Sequence, residues 1–568
     1  MRLRPPLAPS RLWALALTAV VVALGATPAA APAASQTTGR LLVTLKTTAH
    51  AAGTLHAAAA SLATADGLRL DGAQIPQIGL VSVRPLAGTS PRALARVLRR
   101  RAGVAHVEVE HRFQLRAQTN DPALTALETA PGTPPGTVVE WWAARLGLPA
   151  AWDITRGAGA TVGVIDTGID STHPDLSGKI DETVDNDAIG NHGPATVDEN
   201  GHGTHVASLA CGAGDNGVGI VGVGLDCRLR IYKSDLGDGS VARSIIAAAD
   251  AKVDAINMSF GTDGTTAPAQ VIVDAINYAA AHDVVLVSAA ADAPVEEQGD
   301  PSNVLQPTGT GPDITAGKGL SVTAATNADQ RASFAGRGSQ ISLAGYGEFS
   351  DTTGPPGLLG AFPANATELE AGTGGLFPQP GCACRTTFQG DNRYAYLQGT
   401  SMATPMVTAT AALVKHFNPD LRAADVVRLL KETASRPAGT GWTPELGWGI
   451  VNPTAALTAA RLIDRRPPSS KISGPKSVRS ARAITLRLKG RDKSPAAGIV
   501  ASGIARYEIY RSTNGARYKR VKSTSAASVR FQVRRGSRYR FYSIAVDRAG
   551  NREDVPSRPD VSFRVAAA

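Results

Sequence analysis

Apolar runs separated by polar or glycine-rich segments mark the predicted elements in the middle of this chain. Residues 161–166, 255–261 and 284–290 each indicate a short buried strand, and residues 402–414 form an apolar run of helix length. Strands that alternate with helices in this way predict an α/β fold around an open sheet. In such sheets, reactive groups gather at the carboxyl ends of the strands.

The two ends of the chain show different patterns. Residues 39–118 contain predicted strands and helices that indicate a small α+β domain. After a Pro-containing linker at residues 465–468, apolar and polar residues alternate, as in residues 539–546, and Asn514-Gly515 is a hairpin-turn pair. We therefore predict an all-β region over residues 464–568, and its resemblance to known modules, given below, implies a sandwich.

The first residues indicate export. Arg2, Arg4 and Arg11 precede the apolar residues 12–26, and an Ala/Pro-rich stretch follows. This pattern is typical of a secretory signal peptide, which we assign to residues 1–34. A membrane anchor is the alternative, but the apolar run is short for crossing a bilayer.

Three polar side chains stand at the predicted ends of elements. Ser401 begins the apolar helix, where free backbone N–H groups suit a developing negative charge. Asp166 ends a buried strand, and His202 lies between glycines just before a helix of small residues. A serine needs a base and an orienting group to become a nucleophile, and these two residues supply both. Taken singly, each is more simply a helix cap, a turn residue or a loop residue.

The three stretches occur in one order along the chain. Residues 165–168, 202–207 and 399–405 resemble the active-site motifs of the subtilisin-like serine proteases, the subtilases. The resemblance covers roughly residues 120–460 and implies a three-layer α/β fold with a mostly parallel central sheet, which we assign to residues 119–463.

The resemblance also implies a function. Asp166, His202 and Ser401 would form the triad of a serine endopeptidase that needs no cofactor for catalysis. Residues 35–118 are similar to the inhibitor propeptide of this family, and a separate binding domain is the alternative. We expect a monomeric peptidase, secreted or cell-wall-associated, that is made as a self-processing zymogen and cleaves peptide or protein substrates. The rival is a catalytically impaired subtilase-like protein that binds surfaces.

By the same resemblance, two small-residue segments would form the walls of a substrate cleft that binds a peptide as an added strand. They are Ser259, Phe260 and Gly261 on one side and Ala289, Ala290 and Ala291 on the other. Because no charged residue lies in either segment, we expect a roomy, apolar pocket and broad specificity.

Asp292 departs from the family pattern. Subtilases have an asparagine here, whose side chain donates to the oxyanion together with the backbone N–H of the serine, here Ser401. An ionised aspartate has no proton to donate, so Asp292 either is protonated in an apolar setting or lies elsewhere because the alignment shifts. We predict a working but slower enzyme with an acid-shifted pH optimum.

A loop after the histidine helix suggests a structural calcium ion. In many subtilases this loop binds Ca²⁺, and Asp175, Asp215 and Asn216 offer the oxygen ligands that Ca²⁺ prefers. The spacing differs from the family by an insertion, so an ordinary glycine turn is the equal alternative. A solvated loop is the simplest interpretation of a further acidic group, with a second cation site as the alternative; its members are Asp181, Glu182, Asp185, Asp187, Asp198 and Glu199.

Four cysteines in an exported chain suggest disulfides. Cys211 ends the helix after His202 and Cys227 precedes a strand, so we favour that pair. Cys382 and Cys384 are expected to be too close for an easy bridge.

The charge of the chain is concentrated at its end. Residues 465–568 hold 25 Lys plus Arg and 6 Asp plus Glu, while the whole chain carries +10. The segment resembles fibronectin type III or immunoglobulin-like modules of exported bacterial enzymes. Its charge favours anionic cell-wall polymers over nucleic acid as the partner of an exported protein, with binding that weakens in salt. A basic solubilising spacer is the alternative.

Overall fold

A computed structural model describes residues 37–46, 52–66, 68–86, 90–111, 119–187, 192–262, 264–265, 267–373, 380–437, 439–479 and 482–567. The predicted signal peptide lies outside these residues. The chain divides into two compact units, Met1–Arg116 and Ala117–Ala568. No helix in the described part is long and apolar enough to cross a membrane.

The first unit is an antiparallel sheet packed against helices. Its elements are β1 (Thr37–Leu45), α1 (Ala52–Asp66), β2 (Leu68–Ile75), a 3-10 helix (Pro76–Ile78), β3 (Leu80–Pro85), α2 (Pro91–Leu98) and β4 (Val104–His111). The sheet order is β2-β3-β1-β4. Leu41 and Val43 of β1 and Leu55 of α1 are buried in one core, because alternate strand residues face the helices.

The second unit is centred on a sheet of seven parallel strands in the order β11-β10-β9-β8-β5-β7-β6. The strands are β5 (Thr161–Asp166), β6 (Ile180–Asp185), β7 (Arg228–Lys233), β8 (Ala255–Met258), β9 (Val285–Ala289), β10 (Leu320–Ala325) and β11 (Leu343–Tyr346). The inner strands β5, β8, β9 and β10 are buried almost throughout because both faces of the sheet are covered, whereas the edge strand β6 has exposed acidic residues.

Helices pack on both faces of this sheet. They are α3 (Trp141–Arg145), α4 (Leu148–Trp152), α5 (His202–Cys211), α6 (Asp238–Asp250), α7 (Gln270–Ala281), α8 (Ser302–Leu305), α10 (Thr400–Phe417), α11 (Ala423–Thr433) and α12 (Pro453–Ala460), with 3-10 helices at Pro122–Leu124 and Pro174–Leu176. Val285 and Val287 of β9 face the cluster that contains α5 and α10, and Leu286 faces the cluster of α6 and α7. The predicted three-layer α/β fold is confirmed.

An insertion before α10 forms a small antiparallel sheet of its own. It comprises β12 (Leu358–Ala361), α9 (Glu368–Ala371), β13 (Arg385–Phe388) and β14 (Asp391–Leu397), in the sheet order β12-β14-β13. The backbone N–H of Glu368 donates to the Glu199 carbonyl at 2.9 Å, so the insertion packs against the loop that leads into α5.

The end of the chain is a β-sandwich, as predicted. Its strands are β15 (Ser469–Ser473), β16 (Ala483–Arg491), β17 (Ile504–Thr513), β18 (Lys519–Thr524), β19 (Ser528–Gln532), β20 (Arg538–Asp547) and β21 (Val561–Arg564). The antiparallel sheets β15-β16-β19 and β18-β17-β20-β21 enclose a core that includes Leu486, Ile509 and Phe541. Ser502 N–H donates to Asp464 Oδ2 at 2.7 Å, which ties the sandwich to the end of the α/β part.

Candidate active site

Asp166 and His202 meet at the carboxyl edge of the parallel sheet. Asp166 is the last residue of β5 and is 1% exposed, and His202 is the first residue of α5. His202 Nδ1 lies 2.8 Å from Asp166 Oδ1. Because the carboxylate accepts the Nδ1 proton, Nε2 of the neutral ring is left as the basic nitrogen.

A second carboxylate, Asp198, supports this pair from behind. Its Oδ1 accepts the Thr167 hydroxyl at 2.8 Å and the Gly201 N–H at 2.9 Å, and its Oδ2 accepts the Thr204 N–H at 2.8 Å. Asp198 is 4% exposed, so the expectation of a solvated loop is wrong for this residue. Asp198 precedes the N-cap residue Gly201 by three positions, so no cap pattern in the sequence indicates that it accepts N–H groups at the start of α5.

The surrounding carboxylates change the basicity of His202. Burial by itself would lower the pKa of His202, because it disfavours the charged ring. The nearby carboxylates of Asp166, Asp198 and Asp292 outweigh burial and raise the pKa above its usual value. The imidazolium form is therefore more stable here than in a free histidine.

Ser401 lies at the start of α10 and is 9% exposed. Its hydroxyl donates to the Ser259 carbonyl at 2.9 Å, and the Ser259 hydroxyl donates to the Ser401 carbonyl at 2.8 Å. These reciprocal bonds fix the start of α10 against the end of β8. The structure thus joins His202 to Asp166 directly, and joins Ser401 to one predicted wall of the cleft.

Asp292 is bound to the residue that precedes Ser401. Its Oδ1 accepts the Thr400 N–H at 2.7 Å and lies 2.9 Å from the Thr400 hydroxyl, which also reaches the Ala290 carbonyl at 2.7 Å. Asp292 is exposed as a whole residue. Its carboxyl group is nevertheless desolvated by its neighbours, and this desolvation raises the pKa of Asp292. The Thr400 bonds and the charge of His202 act in the opposite direction.

The predicted cleft residues follow two adjacent strands, because β8 pairs with β9 in parallel. Their exposure differs: Ser259, Ala289 and Ala290 are buried, Phe260 and Ala291 are half-buried, and Gly261 is exposed. The two segments are therefore neighbours at the edge of the sheet that carries Asp166.

The three predicted calcium ligands do not share one site: Asp175 and Asn216 are bonded to each other, and Asp215 forms a separate ion pair. Asp175 accepts the Asn216 amide at 2.9 Å, the Ile220 N–H at 3.1 Å and the Tyr394 hydroxyl at 2.9 Å, and burial raises the pKa of Asp175 to about 6. Asp215 instead pairs with Arg156 at 2.6 Å.

A buried oxygen nearby also bears on the calcium prediction. Asp215 N–H donates to Asp121 Oδ2 at 2.9 Å, and Asp121 Oδ1 is buried with no hydrogen-bond partner in the described part of the chain. Asp121 Oδ1 thus lacks a donor, while both Asp175 oxygens accept hydrogen bonds and Asp215 pairs with Arg156.

A cluster of three aspartates lies where the sandwich meets the α/β part. Oxygens of Asp464, Asp492 and Asp547 lie within 4.8 Å of one another. They accept backbone N–H groups, such as Gly503 N–H at 2.6 Å from Asp492 Oδ2 and Asn551 N–H at 2.7 Å from Asp547 Oδ1. These bonds give the three residues a structural role at the domain junction.

Both cysteine pairs are bonded. The predicted disulfide between Cys211 and Cys227 is confirmed. Cys382 and Cys384 also form a disulfide, so the expectation that they are too close is wrong. Their Cα atoms are 5.1 Å apart, within the usual range, because the chain bends between them instead of extending.

Comparisons with known proteins point to one family. The model of the subtilase family matches residues 157–449, a stretch that includes Asp166, His202, Asp292 and Ser401. A thermophilic serine proteinase of Bacillus sp. (strain AK1) is 32% identical over 54% of this chain, which spans 64% of that relative. Thermitase of Thermoactinomyces vulgaris is 30% identical over 52% of this chain and 88% of its own length. Among solved structures, a protease of Pseudoalteromonas arctica matches with a TM-score of 0.47 and 26% identity, over 61% of this chain and all of that chain.

Proposed function

This chain belongs to the subtilase family of serine endopeptidases, and we propose that it is an exported peptidase made as a self-processing zymogen, with Asp166, His202 and Ser401 as its triad. The observation that carries this proposal is the 2.8 Å bond between His202 Nδ1 and the buried Asp166. It orients the ring and leaves Nε2 as the base, which is what activation of a serine requires.

The proposed reaction starts with a change at Ser401. Its hydroxyl donates to the Ser259 carbonyl in this structure, so it must turn toward His202 before the proton can move. Ser401 Oγ then attacks the scissile carbonyl, and His202 takes the proton and returns it to the leaving amine. Water hydrolyses the acyl-enzyme by the same route, while Asp166 stabilises the imidazolium.

Asp292 and the Ser401 backbone N–H are the proposed donors to the oxyanion. Asp292 Oδ1 is already an acceptor of the Thr400 N–H, so a proton on Asp292 would reside on Oδ2. In that form the carboxyl group donates, and in its ionised form it repels the oxyanion. This dependence supports the predicted slower enzyme with an acid-shifted optimum.

The remaining proposals concern the rest of the chain. Residues 1–34 direct export, and residues 35–118 inhibit the peptidase until they are cleaved off. Peptide substrates bind between the segments at Ser259 and Ala291. Residues 464–568 associate with anionic cell-wall polymers.

The fate of the prosegment tests the peptidase. We expect purified chain to lose about 80 residues, roughly the length from 35 to 118, and to react with a fluorophosphonate probe. The Ser401→Ala variant should do neither, while Ser557→Ala, at an exposed position in the sandwich, should behave as the parent. If the parent chain stays intact and unlabelled although it is folded, the proposed peptidase is wrong.

The same experiment addresses the second candidate, an impaired surface-binding protein. Its support is the Asp292 carboxylate, which Thr400 holds as an acceptor beside the nucleophile. A chain that binds anionic polymer but never processes itself would favour this candidate.

A further inference from the structure

On one face of the β-sandwich, every charged side chain is positive. On the sheet β15-β16-β19, alternate residues of each strand are exposed, while residues such as Leu486 and Val529 enter the core. We call this outward surface the cationic face. Its charged residues are Lys471, Arg487, Lys489, Arg491 and Arg530, and all five are exposed.

The cations of this face lie close together without acidic partners. Lys471 and Lys489 are directly opposite each other on β15 and β16. Arg487 is opposite Ser528, two positions from Arg530 on β19. Like charges opposite each other on a sheet destabilise it. No ion pair of these five residues forms within the part of the chain that the structure describes.

Acidic residues compensate part of the positive charge on the opposite sheet. There, Glu508 lies 2.9 Å from Arg520, 3.1 Å from Arg552 and 3.9 Å from Arg506. Like charges also stand opposite each other on that sheet, at Arg538 and Arg564, but the strands of the cationic face contain no acidic residue at all. A partner that brings negative charge would offset the repulsion on the cationic face.

The other side chains of the face restrict the kind of partner. They are Ser469, Ser473, Thr485, Ser528 and Gln532. The face has no aromatic ring on which a nucleic-acid base could stack. It also has no apolar side chain that could enter a lipid layer. Small hydroxyl and amide groups between cations suit a hydrated polymer.

The spacing of the cations fits a linear polymer with regular charges. Arg487, Lys489 and Arg491 follow one another on one side of β16. Side chains two residues apart on a strand are separated by about 7 Å. A flexible polyol chain joined by phosphodiesters offers one negative charge per repeat, and arginine binds phosphate oxygens in pairs.

We propose that the cationic face binds a polyol phosphodiester polymer, with its phosphates over β15, β16 and β19. The inference rests on the proposed association of residues 464–568 with anionic polymers and specifies the surface and the ligand chemistry. It does not depend on the peptidase activity, since the face includes none of the proposed catalytic residues.

The test uses full-length chain in the Ser401→Ala background, so that no self-cleavage occurs. Its affinity is measured for three probes: poly(glycerol phosphate), single-stranded oligothymidylate of equal charge and phosphatidylglycerol vesicles. The face variant is Lys471→Glu with Lys489→Glu. The matched control is Lys519→Glu with Lys522→Glu, which makes the same change of charge at exposed positions on β18 of the other sheet.

We expect the polymer to bind best, and the face variant to lose affinity on the order of tenfold or more at low salt. Losing two phosphate contacts should also reduce the slope of log affinity against log salt by roughly 1.4. The control should change affinity much less. Hydrolysis of a small peptide by the same variants with Ser401 intact should stay at the parental rate.

Other outcomes separate the inference from the broader proposal. If both double variants weaken the polymer equally, net charge drives association and the assignment of the face is overturned. If oligothymidylate or vesicles bind better than the polymer, the ligand chemistry is overturned. If none of the three probes binds, the association of residues 464–568 with anionic polymers fails as well.

Discussion

Asp292 Oδ1 accepts the backbone N–H of Thr400 at 2.7 Å, across 108 positions of the sequence. This bond fixes the carboxyl group next to the residue that precedes Ser401 and leaves Oδ2 as the position for a proton. Desolvation raises the pKa of Asp292, and the carboxylates of Asp166, Asp198 and Asp292 raise the pKa of His202. The two groups must therefore be considered together when activity is measured against pH.

The first prediction concerns Asp292→Asn. In the native chain the productive form has a protonated Asp292 and a neutral His202. Donation is lost as pH rises through the Asp292 pKa, and the base is lost as pH falls through the His202 pKa, so kcat/KM should be bell-shaped. Asparagine donates at every pH, so the alkaline decline should disappear. At neutral pH kcat should rise, by up to ~10²–10³-fold if one full oxyanion donor is restored.

The control for this prediction is Asp292→Ala, which removes the same charge without providing a donor. It relieves only the repulsion, so its kcat at neutral pH should rise less than that of Asp292→Asn. An equal gain in the alanine variant would mean that charge removal, not donation, limits the native chain. A lower or unchanged kcat in Asp292→Asn would contradict the proposed role.

The second prediction concerns Asp198→Asn. Asp198 raises the pKa of His202, so its neutralisation should lower that pKa; in the Asp292→Asn background, where His202 alone sets the acid limb of kcat/KM, this limb should move to lower pH. The loss of charged acceptors for Gly201 and Thr204 should also reduce the free energy of unfolding by about 1–3 kcal/mol.

Asp185→Asn is the control for Asp198, because Asp185 is exposed on β6. It should change neither the acid limb nor the unfolding free energy. An Asp198→Asn chain that loses stability but keeps the parental pH profile would show that Asp198 only caps α5.

The third prediction concerns the disulfides. The Cys211–Cys227 bond joins residues 16 positions apart, and both cysteines are buried. Cys211→Ala with Cys227→Ala should lower the free energy of unfolding by about 3 kcal/mol, because the unfolded chain regains the entropy of an open loop. Urea unfolding of the Ser401→Ala chain, followed by tryptophan fluorescence, measures this change.

Removal of the second disulfide provides the comparison. Cys382 and Cys384 are separated by two positions, so their bond restricts the unfolded chain much less. Cys382→Ala with Cys384→Ala should therefore cost less stability. If it costs more than loss of the Cys211–Cys227 bond, loop entropy is not the main contribution of these disulfides.

The fourth prediction concerns calcium at the loop of Asp175, Asp215 and Asn216. Bound Ca²⁺ should raise the thermal midpoint of the Ser401→Ala chain, and a chelator should reverse the shift. At a concentration 100 times the dissociation constant the gain is about 2.7 kcal/mol.

Asp175→Asn tests the assignment of this calcium site. It removes a charged ligand from a residue that is fully buried, and the calcium-dependent shift should vanish. A shift that persists in this variant would place the ion elsewhere, and the absence of any shift in the parent would favour the ordinary glycine turn.

Local pattern determined the elements and the ends that carry the chemistry. The apolar run of residues 161–166 predicted β5 with Asp166 at its carboxyl end, and the apolar run after Ser401 predicted α10. Such features depend on neighbours along the chain, because burial and backbone propensity act over a few residues. The parallel sheet and the sandwich were predicted from resemblance to known families, since local pattern gives the strands but not their arrangement.

Tertiary packing decided the contacts that join distant residues. It buried Asp198 behind His202, attached Asp292 to Thr400, and paired Asp215 with Arg156, where the sequence suggested a ligand that shares a cation with Asp175. A polar side chain carries no local signal of the donor that it meets after folding, because that donor arrives on a separate element. The sequence by itself therefore determined which polar side chains stand at the carboxyl edge of the parallel sheet. Packing alone decided which groups they bind, and through these contacts it decided the direction in which the pKa values of His202 and Asp292 shift.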